Sequence, residues 1–320
     1  MKLAVIGAGG HSRIAHGQCL KLLVEKGGHD ISLAAVCDLD EERARSYADD
    51  YGFDSVYTDT DAMVAQEKPD GILAITPITL TVPLVSKWLE YGIPMLIEKP
   101  PGATSTEAQI LLDAAQKTGT PHMLSFNRRF DPALTRALDW MRKNDCQPVS
   151  MLARMIRRRR READFVLGTG VHAIDTVLSV MGNPLSGKGE RSAGTADKRP
   201  SFSGTLRFDG DRQAVLMIAP DSAGNIETYE FFASDCRVLV DTVGGRAEAW
   251  RDGESVFSWE TPSDAPAGNQ SSSLEENRAF IESVAGKRAW APDLTHGYLV
   301  MQVAELIHEG AHRRWQVPTS

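Results

Sequence analysis

The chain has 320 residues, a length that suits two domains, and its 42% hydrophobic and 24% charged content is that of an ordinary globular protein. A formal net charge of −8 argues against nucleic acid as a partner, and no apolar run approaches the roughly 20 residues of a membrane helix. Cys19, Cys37, Cys146 and Cys236 stand far apart with no C-x-x-C pair, so no disulfide scaffold, zinc cluster or other metal site is expected, and a reducing cytoplasm suits the chain.

Met1-Lys2-Leu3 leads directly into the first predicted strand, Leu3–Ile6, leaving no room for a signal peptide. Gly7-Ala8-Gly9-Gly10-His11-Ser12 then turns the chain toward a helix predicted over Ile14 to Glu25. Strand Ile31–Cys37 follows, and a helix starts near Asp40 with Glu41 and Glu42 favourably placed in its first turn. Gly71–Ile75, Pro94–Ile97 and His122–Phe126 are short, apolar runs of the kind found in parallel strands buried on both faces. Between the last two, Thr104 and Glu107 make a capping-box pattern ahead of an apolar face of Ala108, Leu111, Leu112 and Ala115. Strand–helix alternation of this kind predicts a doubly wound parallel sheet over residues 1–123.

Beyond about residue 145 the pattern changes to strand-like runs joined by polar turns: Val149–Ile156, Ser203–Phe208, Ala214–Ile218, Thr228–Ala233 and Arg237–Asp241. Residues 124–320 are therefore expected to form a second α/β domain with an open, mostly antiparallel sheet for substrate and subunit contacts. One helix is inserted near residues 170–181. A polar connector, Pro262–Ser273, precedes two closing helices, Leu274–Ala285 and Leu294–Glu309, which are free to pack back on the first domain. Ala214-Val215-Leu216-Met217-Ile218 is apolar at every position, which predicts cover on both faces, by helices or by a second subunit of a homo-oligomer.

Chemistry gathers at the carboxyl ends of the predicted parallel strands, where open α/β sheets bind ligands. The glycine turn suits a dinucleotide: Gly7 permits the tight turn, Gly9 lets backbone approach a diphosphate, and the free N–H groups of the helix start face the anion, with Gly10, His11 and Ser12 alongside. Asp38 ends the second strand, where an acid holds an adenosine ribose by its hydroxyls; with Asp40, Glu41 and Glu42 it repels a 2′-phosphate, favouring NAD over NADP. Thr76-Pro77, Glu98-Lys99-Pro100-Pro101 and Asn127-Arg128-Arg129 end the remaining strands. Two prolines hold the backbone of Lys99 extended, so that its amine is able to donate to a substrate oxygen.

These elements, with Asn127-Arg128-Arg129-Phe130 and Gly170-Val171-His172-Ala173-Ile174-Asp175, appear in an order that resembles the Gfo/Idh/MocA oxidoreductases (glucose–fructose oxidoreductase, inositol 2-dehydrogenase, rhizopine catabolism) over nearly the whole chain. The resemblance implies a Rossmann domain, a nicotinamide cofactor and a sugar, cyclitol or sugar-acid substrate whose hydroxyl or carbonyl exchanges a hydride. It also implies that Lys99 and His172 are catalytic and that Asp175 shapes the substrate pocket. Independently, His172 and Asp175 are three residues apart and share a helix face, and histidine titrates near neutrality. Asn127 and Thr169 complete the expected contacts.

Three positions depart from the family pattern: Gly168 stands where many relatives carry an aspartate, Ile78 and Thr81 replace an asparagine and a histidine, and Ser12 replaces the third glycine. They leave open an NAD-assisted elimination without net redox and a non-catalytic sensor of dinucleotides or sugars. The run Arg157-Arg158-Arg159-Arg160-Arg161, with Arg157 and Arg158 foremost, is expected to clamp an anionic substrate.

Overall fold

The computed structural model describes residues 1–27, 30–194, 199–266 and 269–315. Contacts gather into two compact units, Met1–Asn127 with Asn269–Tyr298 and Arg128–Gly268 with Leu299–Ser320.

In the first unit, β1 (Lys2–Ile6), β2 (Ser32–Cys37), β3 (Ser55–Tyr57), β4 (Gly71–Ala74), β5 (Met95–Glu98) and β6 (His122–Ser125) form one parallel sheet in the order β3-β2-β1-β4-β5-β6. The crossovers carry α1 (Gly10–Ser12), α2 (Gln18–Lys26), α3 (Glu41–Tyr51), α4 (Thr60–Glu67), α5 (Ile78–Trp88) and α6 (Ser105–Thr118). The central strands are apolar in their middles because both faces are covered: Leu3, Val5, Ile72, Leu73, Leu96 and Ile97 are all buried. Strand order reverses between β1 and β4, which opens a crevice at the carboxyl edge. α6 is capped as its sequence predicts: Thr104 Oγ1 accepts from the Glu107 N–H at 3.1 Å, and Glu107 Oε2 accepts from Ala103 N–H at 2.7 Å. Such a cap contributes about 1 kcal/mol.

The helix predicted from Ile14 starts earlier. α1 begins at Gly10, a π-helical segment follows over Arg13–Gly17, and α2 continues from Gln18. Its start is hidden in sequence because Gly9, in extended backbone, replaces a capping side chain.

In the second unit, α7 (Pro132–Lys143) and α8 (Val171–Met181) pack on a nine-stranded sheet. Its strands are β7 (Ser150–Arg158), β8 (Ser186–Arg191), β9 (Phe202–Arg207), β10 (Gln213–Ser222), β11 (Ile226–Phe232), β12 (Cys236–Asp241), β13 (Arg246–Arg251), β14 (Glu254–Glu260) and β15 (His312–Arg314). Their order is β14-β13-β12-β11-β7-β10-β9-β8-β15, antiparallel except between β7 and β10. Ala214, Leu216 and Ile218 of β10 are buried, whereas Val215 and Met217 are 38% and 44% exposed, so among the described residues the expected cover is met on one face of β10 and not on the other.

The closing helices are α9 (Asn269–Val284) and α10 (Leu294–Glu309). α9 starts inside the predicted connector, of which residues 267 and 268 lie outside the described residues. No apolar period marks this start because the side chains it buries, Ser272, Ser273, Glu276 and Asn277, are polar. Sequence spacing also misjudged the cysteines. Cys146 and Cys236, 90 residues apart, are joined by a disulfide across a Cα–Cα distance of 6.3 Å, because the fold brings the end of α7 beside β12. Cys19 and Cys37 are buried thiols. No helix among the described residues is long and apolar enough to cross a membrane.

Candidate active site

The chain leaves β1 through Gly7, whose φ of +99° and whose position 2.0 Å (for an added Cβ) from the Ile75 carbonyl oxygen exclude any side chain. At Gly9 and Gly10 an added Cβ meets nothing within 4 Å, so the outer side of the loop is clear for a diphosphate, and the residues present suit a dinucleotide. Ser12 does not face that loop. It is fully buried, its hydroxyl donates to Tyr47 Oη at 3.0 Å, and Gly17 makes the close helix contact beneath Tyr47 and Tyr51.

Asp38, at the end of β2, is held by four donors: Ala8 N–H at 2.8 Å, Asp40 N–H at 3.0 Å, Arg43 Nε at 3.2 Å and Arg43 Nη2 at 2.6 Å. Burial opposes its ionisation, but the Arg43 guanidinium and the two N–H groups outweigh it and keep the carboxyl below its usual range. Arg43 is a residue that sequence reading missed, since a cation in a first helical turn carries no signal of its partner. At the end of β4, Thr76 Oγ1 and Thr81 Oγ1 are 2.8 Å apart, and Thr81 is buried.

Glu98 ends β5 at the centre of a buried polar cluster. Its Oε1 lies 2.9 Å from His11 Nε2, 3.0 Å from His16 Nε2 and 2.9 Å from Ser125 Oγ, and its Oε2 accepts the Lys99 N–H at 3.0 Å. Burial works against the charge, yet the two histidines hold the carboxyl well below its usual range. Ser125 Oγ also lies 2.9 Å from Glu276 Oε2 of α9, and His16 Nδ1 lies 3.1 Å from Asn277 Oδ1. Asn127 Nδ2 donates to Ser273 Oγ at 3.1 Å. Lys99 itself is half-buried, and its peptide bond to Pro100 is cis. His16, Ser125, Glu276 and Asn277 were not foreseen, because their meeting depends on α9 returning to the first unit.

In the second unit a π-helical segment, Val166–Gly170, leads into α8. His172 is 6% exposed and Asp175 fully buried. Asp175 accepts from Arg129 Nε at 2.8 and 3.0 Å, so its carboxylate is set by Arg129. The arginine run is largely matched by acids of its own unit. Arg157 pairs with buried Glu227, Arg160 with Glu162, and Arg161 with Asp221 at 2.9 Å. Arg160 Nη2 also lies 3.5 Å from Thr169 Oγ1. Arg158 has an exposed side chain, and its backbone N–H donates to Asn225 Oδ1 at 2.9 Å. Arg157 is therefore a structural ion-pair partner rather than the expected anion clamp.

A profile of the Gfo/Idh/MocA proteins, described as an oxidoreductase family with an NAD-binding Rossmann fold, matches residues 1–126. Residues 1–126 thus match the NAD-binding Rossmann domain of that family. The chain is 24% identical to a D-glucoside 3-dehydrogenase of Escherichia coli over 97% of this chain and 95% of the relative. It is also 24% identical to an NADP(+)-dependent D-xylose 1-dehydrogenase of Haloferax volcanii over 87% of this chain and 89% of the relative. A levoglucosan dehydrogenase solved with NADH superposes with a TM-score of 0.84 at 17% identity, covering 97% of this chain and 96% of that one, which shows the shared fold.

Proposed function

We propose that this protein is an NAD-dependent dehydrogenase of the Gfo/Idh/MocA kind that exchanges a hydride with a hydroxyl or carbonyl carbon of a sugar or cyclitol. The observation that carries this reading is Asp38, pinned by the Ala8 N–H at the strand-order reversal beside the open Gly9–Gly10 loop. That arrangement suits an adenosine ribose and a diphosphate together. Bound NAD supplies the hydride acceptor. Gly7, Gly9, Gly10 and His11 receive the diphosphate, Asp38 the ribose, and Thr76, Pro77, Glu98 and Asn127 the nicotinamide end.

Lys99 donates a hydrogen bond to the reacting oxygen and stabilises the charge that develops there. His172 takes the hydroxyl proton in oxidation and returns it in reduction. Asp175, fixed by Arg129, and Thr169 bind further substrate hydroxyls, in place of the carboxylate that Gly168 lacks. A neutral sugar is favoured over an anionic one, since Arg157, Arg160 and Arg161 are already matched by acids. A homo-oligomer belongs to the same reading, its interface covering the outward Val215 and Met217. NAD is an intracellular cofactor, so the reading assigns the enzyme to the cytoplasm, where reducing thiols would meet the Cys146–Cys236 bond.

A panel of sugars and cyclitols assayed by NADH absorbance tests this directly. Lys99→Ala is expected to lower turnover about 10²- to 10⁴-fold while NADH affinity changes less than about threefold. Turnover unchanged in that variant would remove Lys99 from the chemistry.

A further inference from the structure

His16 is fully buried, and its ring is oriented by Asn277. Asn277 Nδ2 donates to the Ala15 carbonyl at 3.0 Å and to the Ser273 carbonyl at 2.7 Å, which turns Oδ1 toward His16 Nδ1 at 3.1 Å. An amide oxygen only accepts, so Nδ1 carries the hydrogen. The neutral tautomer then presents its lone pair at Nε2, 3.0 Å from the Glu98 carboxylate oxygen Oε1. A proton on either atom would join the two as a hydrogen bond; a metal ion between them would satisfy both lone pairs. His11 Nε2 adds a third donor atom, 2.9 Å from the same oxygen, and all three atoms lie within 4.8 Å of one another.

We propose that His11, His16 and Glu98 form a binding site for one divalent transition-metal ion of the zinc class. Ligands about 2.0–2.2 Å from such an ion, at angles between square and tetrahedral, stand about 3.0–3.5 Å apart. The two nitrogen-to-oxygen distances, 2.9 and 3.0 Å, already approach that spacing. Two imidazoles and one carboxylate suit zinc, cobalt or iron(II) better than calcium or magnesium, which favour all-oxygen shells. The supporting shell is that of a metal site as well. His16 donates its other ring N–H to Asn277, and Glu98 is fixed by Ser125 Oγ on one oxygen and the Lys99 N–H on the other.

The backbone explains how two histidines five residues apart converge. On an α-helix, at about 100° per residue, they would point roughly 140° apart. The π-helical segment Arg13–Gly17 widens the turn between them, and their rings come within 6.2 Å centroid to centroid. His11 is 56% exposed at its side chain, so the remaining coordination positions open toward solvent on its side.

The site shares His11 and Glu98 with the dinucleotide contacts proposed above, so its test uses the chain without NAD and reads metal binding alone. The full-length chain, stripped with EDTA, is titrated with Co²⁺ followed by visible absorbance and with Zn²⁺ by equilibrium dialysis. One ion per chain is expected, with excess Mg²⁺ failing to compete. His11→Ala, at a largely exposed position, should weaken binding at least about tenfold, as should Glu98→Gln, while His312→Ala on exposed β15 should leave it unchanged. Absence of binding at about 0.1 mM free Co²⁺ or Zn²⁺ overturns the proposal, as does a His11→Ala chain that keeps its affinity within about tenfold.

Discussion

Asp38 cannot take ribose hydroxyls without giving up part of its present hydrogen bonding, because Arg43 already covers both carboxylate oxygens. A dinucleotide would therefore displace the Arg43 fork and leave a guanidinium beside the ribose, where a 2′-phosphate would fall. The acids Asp40, Glu41 and Glu42 argue for NAD; Arg43 supplies the counter-charge that makes NADP tolerable. Arg43→Ala is expected to weaken NADPH binding about tenfold and to leave NADH within about threefold, by fluorescence titration. Equal loss of both cofactors would contradict this role. Gly7 and Asp38 were legible in sequence because each answers a local demand, a positive φ or a charge at a strand end. Arg43 and His16 were not, because their roles lie in partners brought by the fold.

Among the elements, the two π-helical segments fall just where predicted site residues lie, Arg13–Gly17 after the glycine turn and Val166–Gly170 before His172. Wide turns of this kind re-aim side chains at the cost of regular hydrogen bonding, which is why they gather at functional positions. β11 carries a different constraint. Glu227, almost fully buried, faces Arg128 Nε at 2.9 Å, Arg157 and Tyr229 Oη at 3.0 Å. Burial opposes its charge, but Arg128 and Arg157 hold the carboxyl below its ordinary value of 4.5. A lowered folded-state pKa means that this stabilisation is present in full above about pH 4.5 and fades as the pH falls below it. Glu227→Ala leaves Arg128 buried without its counter-ion and should cost about 3–5 kcal/mol in denaturant unfolding at neutral pH, with a shallower loss toward acid. A cost below about 1 kcal/mol would show that the cluster does not hold the sheet. β11 was legible from its alternating apolar residues. β8 was not, since Ser186–Arg191 has no large apolar side chain; it buries backbone instead, with Gly189 so close to α10 that an added Cβ would stand 2.1 Å from the Leu306 carbonyl oxygen.

For the whole molecule, the change from strand–helix alternation to strand–turn repetition was enough to read a doubly wound parallel sheet followed by a mostly antiparallel one, because each architecture imposes its own period on the chain. Connections between distant segments left no such period: the return of α9 to the first unit and the Cys146–Cys236 bond rest on polar or single residues. The same limit applies to substrate identity, which no local pattern in the sequence encodes. The proposed reaction is net hydride transfer to NAD. The most direct measurement offers the enzyme NAD with polyols or glycosides deuterated at the carbinol carbon and follows the cofactor by mass spectrometry. NADH that accumulates carrying the substrate's deuterium, from a chain that loses this transfer on Lys99→Ala, is the expected result. A substrate that binds, or is eliminated, while no deuterated NADH accumulates would contradict it.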